Sequence, residues 1–173
     1  MLTSMIGAVI IIMCCMSLGF YLAAREGFRS ADLNEFKKAL TIMTSEIKHA
    51  HSPLCVACVN IAKRIGAPFS GIFTQFARQL TDSQGETAYQ LWLLALEGHK
   101  NKAYLHDDDW EELKSFGKTL GYLDKHMQLN AILHTTAYID DVMQSIKEQA
   151  DKNKRMYRYL GVIGGLLLVV ILW

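Results

Sequence analysis

The chain has 173 residues, 51% of them hydrophobic, and its 18 Lys and Arg nearly balance its 17 Asp and Glu. With both signs mixed along the chain, this balance argues against a nucleic-acid surface, which needs a clustered basic face. The charges are unevenly placed, however: none precedes Arg25 and none follows Arg158. Two charge-free ends around a charge-rich middle match a bilayer, where a central charge costs about 2.5 kcal/mol or more.

Residues 1–24 are expected to form a transmembrane helix. At 1.5 Å per residue they reach roughly 36 Å, beyond the ~30 Å hydrocarbon core. A cleaved signal peptide fits less well, because no Lys or Arg precedes the apolar run and no small-x-small site precedes Arg25. Cys14-Cys15 raises a lipoprotein signal, but Met13 is a poor residue before such a cysteine.

The middle, residues 25–158, is expected to be an all-α domain, an antiparallel bundle of about six helices. Leu33, Phe36, Leu40, Met43, Ile47 and Ala50 recur at spacings of three and four, which predicts a helix over 31–49. Ser52 is placed to cap the next helix, with Pro53 in its first turn, and Leu54, Ala57, Cys58, Ile61 and Ile65 form its stripe. Gly66 ends it and Pro68 opens a third helix. There Phe69, Ile72, Phe73, Phe76, Ala77 and Leu80 make a broad apolar face. A turn at 82–85 leads to a helix over 86–97 with Leu91 and Trp92 inward, closed by Gly98. Asp109 with Glu112 suggests a capping box, and Gly121 closes that helix. Asp124 caps the last helix. Leu129, Ile132, Ile139, Met143, Ile146 and Ala150 continue its stripe, and nothing from Lys125 to Leu160 breaks it. No stretch alternates with a period of two, so no sheet is expected.

Residues 159–173 form a second apolar run, expected to be a second transmembrane helix continuous with the last bundle helix. At roughly 22 Å it is short for a span. Tyr157, Tyr159 and Trp173 suit interfacial anchors, and Arg155 and Arg158 can reach headgroups. A helix embedded in one leaflet is the alternative. Arg25, Arg29, Lys37 and Lys38 follow the first run, and Lys147, Lys152, Lys154, Arg155 and Arg158 precede the second. By the positive-inside rule the bundle is cytoplasmic and both termini lie outside.

Chemistry-bearing residues are sparse. Cys55-Val56-Ala57-Cys58 is a CxxC with His49 and His51 just upstream, so a zinc site or redox pair is conceivable. Small cysteines packed in a core explain the same letters, and no second CxxC or βαβ context supports the sharper readings. His106-Asp107-Asp108-Asp109 offers ligands for a hard cation, or an acidic start complementing a helix dipole. His126, Asn130 and His134 fall on one stripe of the last helix. No nucleophile elbow, P-loop or HExxH is present. On these residues no enzyme, cofactor or metal is expected.

The chain resembles the stage III sporulation protein AB family of endospore-forming bacteria over nearly its full length. The resemblance rests on Gly7-Ala8-Val9, Ala39-Leu40 through Glu46-Ile47, Pro53-Leu54, and Thr87-Ala88 followed by Leu91-Trp92. It continues with Phe116-Gly117-Lys118-Thr119-Leu120-Gly121 with Asp124 and Gln128, then Leu160-Gly161-Val162 and Gly164-Gly165-Leu166-Leu167-Leu168. It implies a non-catalytic component of the channel or secretion-like complex built between mother cell and forespore. The location implied is the mother-cell membrane around the forespore. Such proteins look like half of the platform protein of type II secretion and type IV pilus machines. The implied partners are the bilayer, a secretion-type ATPase (stage III sporulation protein AA) and other channel subunits, with a homo-oligomer also admitted. This chain departs from the pattern in its cysteine-rich turn at 51–55 and in Leu93, where an acidic residue is expected. An acidic docking patch is therefore sought at Glu35, Glu46 or Asp124. The rival readings are a general secretion or pilus scaffold, and a metal- or redox-sensing membrane protein using Cys55 and Cys58.

Overall fold

The computed structural model describes residues 2–50, 53–83, 85–121 and 124–172, with side chains described at 21, 24–48, 53–83, 85–121 and 124–153. Among these, every regular element is helical. Six α-helices follow in order: α1 Leu2–Ser45, α2 Leu54–Ala62, α3 Phe69–Asp82, α4 Ala88–Glu97, α5 Asp107–Gly117 and α6 Lys125–Leu172. A π-helical turn, Glu46–Ala50, follows α1, and a 3₁₀ turn, Lys100–Lys102, joins α4 to α5.

The helical bundle is as expected, but its flanks are not separate elements. Two helices were expected over 1–24 and 31–49, yet α1 runs unbroken through both. The composition changes at Arg25, but a change of solvent preference does not bend a backbone. The lone Gly27 costs only about 1 kcal/mol in a helix interior, too little to stop it. At the other end α6 passes Leu160 without interruption, as its lack of breakers predicts.

The core is an aromatic cluster. Phe36 of α1 meets Phe69 of α3 at a centroid distance of 5.0 Å and Phe116 of α5 edge-on at 5.8 Å. Trp92 of α4 meets Phe73 and Phe76 of α3 at 5.4 and 5.2 Å. All six rings are buried, and each contributes on the order of 1.5–3 kcal/mol by leaving water. Trp92 keeps its indole N–H satisfied by donating it to the Leu113 carbonyl at 2.8 Å. On α6, Ile132 and Ile139 are buried and Leu129, Met143 and Ile146 are half-buried. Ala150 is exposed, so the packed stripe is shorter than the periodicity suggested.

Several helix ends differ from the sequence reading. Pro53 itself takes the N-cap position of α2, while Ser52 lies outside the described residues. A reciprocal capping box opens α4, with the Thr87 N–H donating to Gln90 Oε1 at 2.9 Å and the Gln90 N–H to Thr87 Oγ1 at 3.3 Å. The box assigned to Asp109 and Glu112 is displaced by one turn. His106 is the N-cap of α5, and its N–H donates to Asp109 Oδ2 at 2.9 Å. Helix α5 ends at Gly117 rather than Gly121, because the chain tightens there into i→i+3 bonds from Lys118, Thr119 and Leu120.

Helices α1 and α6 are antiparallel. Lys37 pairs with Asp140, while Met43 and Glu46 share a cavity with Gln128 and Ile132. The N-terminal part of α1 and the C-terminal part of α6 therefore leave the same end of the bundle. Among the described residues, the buried side chains nearest those ends are Leu33 and Ile139. Each helix continues beyond them for roughly 45–50 Å. Among the described residues no helix is long and apolar enough to cross a membrane. The transmembrane expectations concern 1–24 and 159–173, where only the side chains of Tyr21 and Ala24 are described.

Candidate interaction sites

Where the two arms leave the bundle, a buried polar hub ties α1, α5 and α6 together. The Asp109 carboxylate is fully buried. It accepts two hydrogen bonds from the Arg29 guanidinium, Nε to Oδ2 at 2.7 Å and Nη2 to Oδ1 at 2.9 Å, in the two-pronged geometry that suits this pair. It also accepts the Tyr138 hydroxyl at 3.0 Å and the His106 N–H. Burial pushes the Asp109 carboxyl up, but Arg29, His106 and Tyr138 together hold it below its ordinary value. The same pair raises Arg29. Burial and the adjacent Asp109 charge push the Tyr138 phenol up to about 12. Glu26 adds contacts to Arg29 at 3.4 Å and to His106 Nε2 at 3.2 Å. One turn along α1, Asp32 accepts the Tyr104 N–H at 2.7 Å, and Phe28 stacks on the Tyr104 ring. Both contacts fix the α4–α5 connection to the base of the α1 arm.

The three acidic residues proposed for docking do not form one patch. Glu35 accepts from Lys38 Nζ at 2.6 Å and from the Gly66 N–H at 2.7 Å, which holds the α2–α3 connection against α1. These donors hold its carboxyl below the ordinary range. Asp124 is exposed and accepts the His126 N–H at 2.9 Å, capping α6 as expected. Glu46 opens the π-helical turn at the far end of the bundle and accepts from Asn60 Nδ2 at 3.2 Å. It lines a cavity of about 130 Å³ whose walls include Met43, Leu54, Phe116, Leu120 and Ile132.

The remaining polar motifs resolve into structure. Cys55 is half-buried, Cys58 is fully buried, and both thiols are free. Burial, reinforced by Cys55, pushes the Cys58 thiol up to about 12, which suppresses the thiolate that metal or redox chemistry needs. Core packing thus accounts for Cys58, while His51 lies outside the described residues. The run from His106 to Asp109 is dispersed: Asp109 turns inward to Arg29, and the exposed Asp107 sits 3.8 Å from Lys100 Nζ. His126, Asn130 and His134 are all exposed on α6. His134 Nδ1 lies 3.5 Å from Glu112 Oε1, which also accepts the Thr135 hydroxyl at 2.7 Å.

Sequence reasoning missed both the Arg29–Asp109–Tyr138 hub and the Glu46 cavity. The hub joins residues 80 and 29 positions apart, and the cavity collects residues from four helices and the π turn, so neither leaves a local signal. The box at Thr87 did carry one, a T-x-x-Q pattern.

The family model for stage III sporulation protein AB matches residues 4–173 of this chain. The stage III sporulation protein AB of Bacillus subtilis (strain 168) is 30% identical over 168 residues, covering 97% of this chain and 98% of that protein. A solved structure of stage III sporulation protein AB superposes with a TM-score of 0.66 at 26% identity, covering 72% of this chain and 98% of the solved one.

Proposed function

The chain belongs to the stage III sporulation protein AB family, and on that premise we propose that it is a non-catalytic membrane platform in the channel-like complex between mother cell and forespore. In this reading residues 1–24 and 159–173 cross the membrane around the forespore. The bundle over 25–158 stands in the mother-cell cytoplasm and docks a secretion-type ATPase, stage III sporulation protein AA. The observation that carries the proposal is the pair of long helical arms leaving one end of the bundle in the same direction, each ending in a charge-free apolar run. Basic residues flank both runs on the bundle side alone, which supports a cytoplasmic bundle.

Because α1 and α6 are continuous from the bundle into those runs, a push on the bundle is carried along two stiff rods. The hub at Asp109 clamps the bases of both. The proposed mechanism is mechanical coupling: the motor binds the far end, and its displacement reaches the membrane through the arms. The burial of Cys58 disfavours the sensor reading, as its thiol is sequestered from solvent.

Deleting the gene in its sporulating host should block development after engulfment begins, and cross-linking in native membranes should join the bundle to the ATPase. Normal spores from the deletion strain would refute the role. Spores blocked at that stage without any ATPase cross-link would keep the platform and remove the docking.

A further inference from the structure

The end of the bundle from which both arms leave carries a surface that the platform reading does not use. Tyr21, Arg25 and Phe28 recur at spacings of four and three, so they share one face of α1. All three are exposed, Tyr21 by 68% and Phe28 by 53%. Beside them stands Tyr104 of the α4–α5 connection, 50% exposed, its ring stacked on Phe28 at a centroid distance of 4.9 Å. Asp32, one turn further along the same face of α1, accepts the Tyr104 N–H and so fixes the connection there. Lys102, two residues before Tyr104, is exposed as well.

Scattered exposed rings need no explanation. Three at one end of the molecule, with basic side chains among them, have the composition of a membrane–water interface, where aromatic rings and long cationic side chains collect. The height agrees. Phe28 lies four residues past Ala24, the last of the charge-free run, which is roughly 6 Å along the helix. The headgroup layer is about 5–8 Å deep on each side of the hydrocarbon. Tyr104, stacked on Phe28, falls at the same height. Three acids at this end are engaged within the chain: Glu26 with Arg29 and His106, Asp32 with the Tyr104 N–H, and Asp107 with Lys100. Their engagement lowers the cost of bringing this end to lipid phosphates.

We propose that the α4–α5 connection is a second contact with the bilayer, its Tyr104 ring and the adjoining Phe28 set in the headgroup layer and Lys102 and Arg25 reaching lipid phosphates. The bundle then rests on the membrane surface instead of standing off it on the two arms. The inference rests on the reading that residues 1–24 cross the membrane.

The test uses the purified full chain, its native cysteines replaced, in vesicles of equal parts phosphatidylcholine and phosphatidylglycerol. A bimane label is attached at Asn101→Cys, which is exposed beside the connection and leaves both rings in place. Lipids carrying a nitroxide on the headgroup should quench most of its fluorescence, while the same label at Ser83→Cys keeps its intensity. Phe28→Ser with Tyr104→Ser should remove most of the quenching at Asn101→Cys without changing the melting of the bundle, since both rings are exposed. A third label at Ser17→Cys, read with mid-chain nitroxides, reports on the first apolar run. Quenching at Ser17→Cys without quenching at Asn101→Cys, as when a protein covers this face instead, overturns the proposal and leaves the membrane reading standing. Quenching at Asn101→Cys that ignores the loss of both rings overturns it as well. No quenching at either position would remove both readings.

Discussion

Replacing Asp109 by alanine should remove the clamp at the base of both arms. The carboxylate is fully buried and answers four donors: the two Arg29 nitrogens, the Tyr138 hydroxyl and the His106 N–H. Alanine leaves the guanidinium without its main partner. Breaking a buried pair from one side costs about 3–5 kcal/mol. The Arg29 side chain is 12% exposed and keeps Glu26 at 3.4 Å, so the lower end, about 3 kcal/mol, is expected. Asp109→Asn keeps the shape but removes the charge and should cost about 1.5–3 kcal/mol. Urea unfolding of the full chain in detergent micelles, followed by far-UV circular dichroism, measures both. The pH dependence has a definite sign. The folded Asp109 carboxyl lies below its ordinary value, so its stabilisation is full above about pH 4 and fades as pH falls through the lower folded value. The asparagine variant should lose that part of the acid sensitivity. A loss under about 1 kcal/mol for Asp109→Ala, or one abolished by ~1 M salt as for exposed pairs, would refute the reasoning.

Three further outcomes are expected. Gly117→Ala would drive a methyl group into the ring of the buried Trp92 and should cost about 1–3 kcal/mol in the same unfolding assay; a neutral result would mean that α4 and α5 pack less closely. Iodoacetamide labelling with peptide mapping should modify Cys55 well before Cys58 in the folded chain, since Cys58 is buried and its thiol is pushed up to about 12; equal rates would contradict the packing. A Gly-Ser insertion near Lys152 should leave the melting of the bundle unchanged yet block sporulation by breaking the α6 rod, and full sporulation with the insertion would count against mechanical coupling.

The fold was legible where periodicity and breakers act locally. Leu33, Phe36, Leu40 and Met43, and then Phe69, Ile72, Phe73 and Phe76, are buried as their spacing requires, because a helix face repeats whatever it packs against. The continuity of α1 is not legible, because the change in charge at Arg25 marks a change of solvent preference, whereas a helix backbone needs a breaker to stop. The start of α5 lies three residues before the expected cap: Asp109 is drawn inward to Arg29, 80 residues away, and accepts the His106 N–H, so that His106 takes the cap position. The candidate sites were least legible. Glu35, Glu46 and Asp124 share a charge in the sequence, yet one braces a loop, one lines a cavity and one caps a helix. Those roles follow from tertiary neighbours, which no window of sequence contains.

The central claim, a cytoplasmic bundle carried on two membrane-crossing arms, is tested most directly by side-specific labelling in native membranes. With the native cysteines replaced, one cysteine is introduced at the exposed Ser83 and, in a second variant, one is added after Trp173. In sporangia whose engulfing membranes are still open to the medium, a membrane-impermeant maleimide supplied from outside should label the added terminal cysteine and reach Ser83→Cys only after the membranes are opened. Labelling of both positions from the same side would contradict the account.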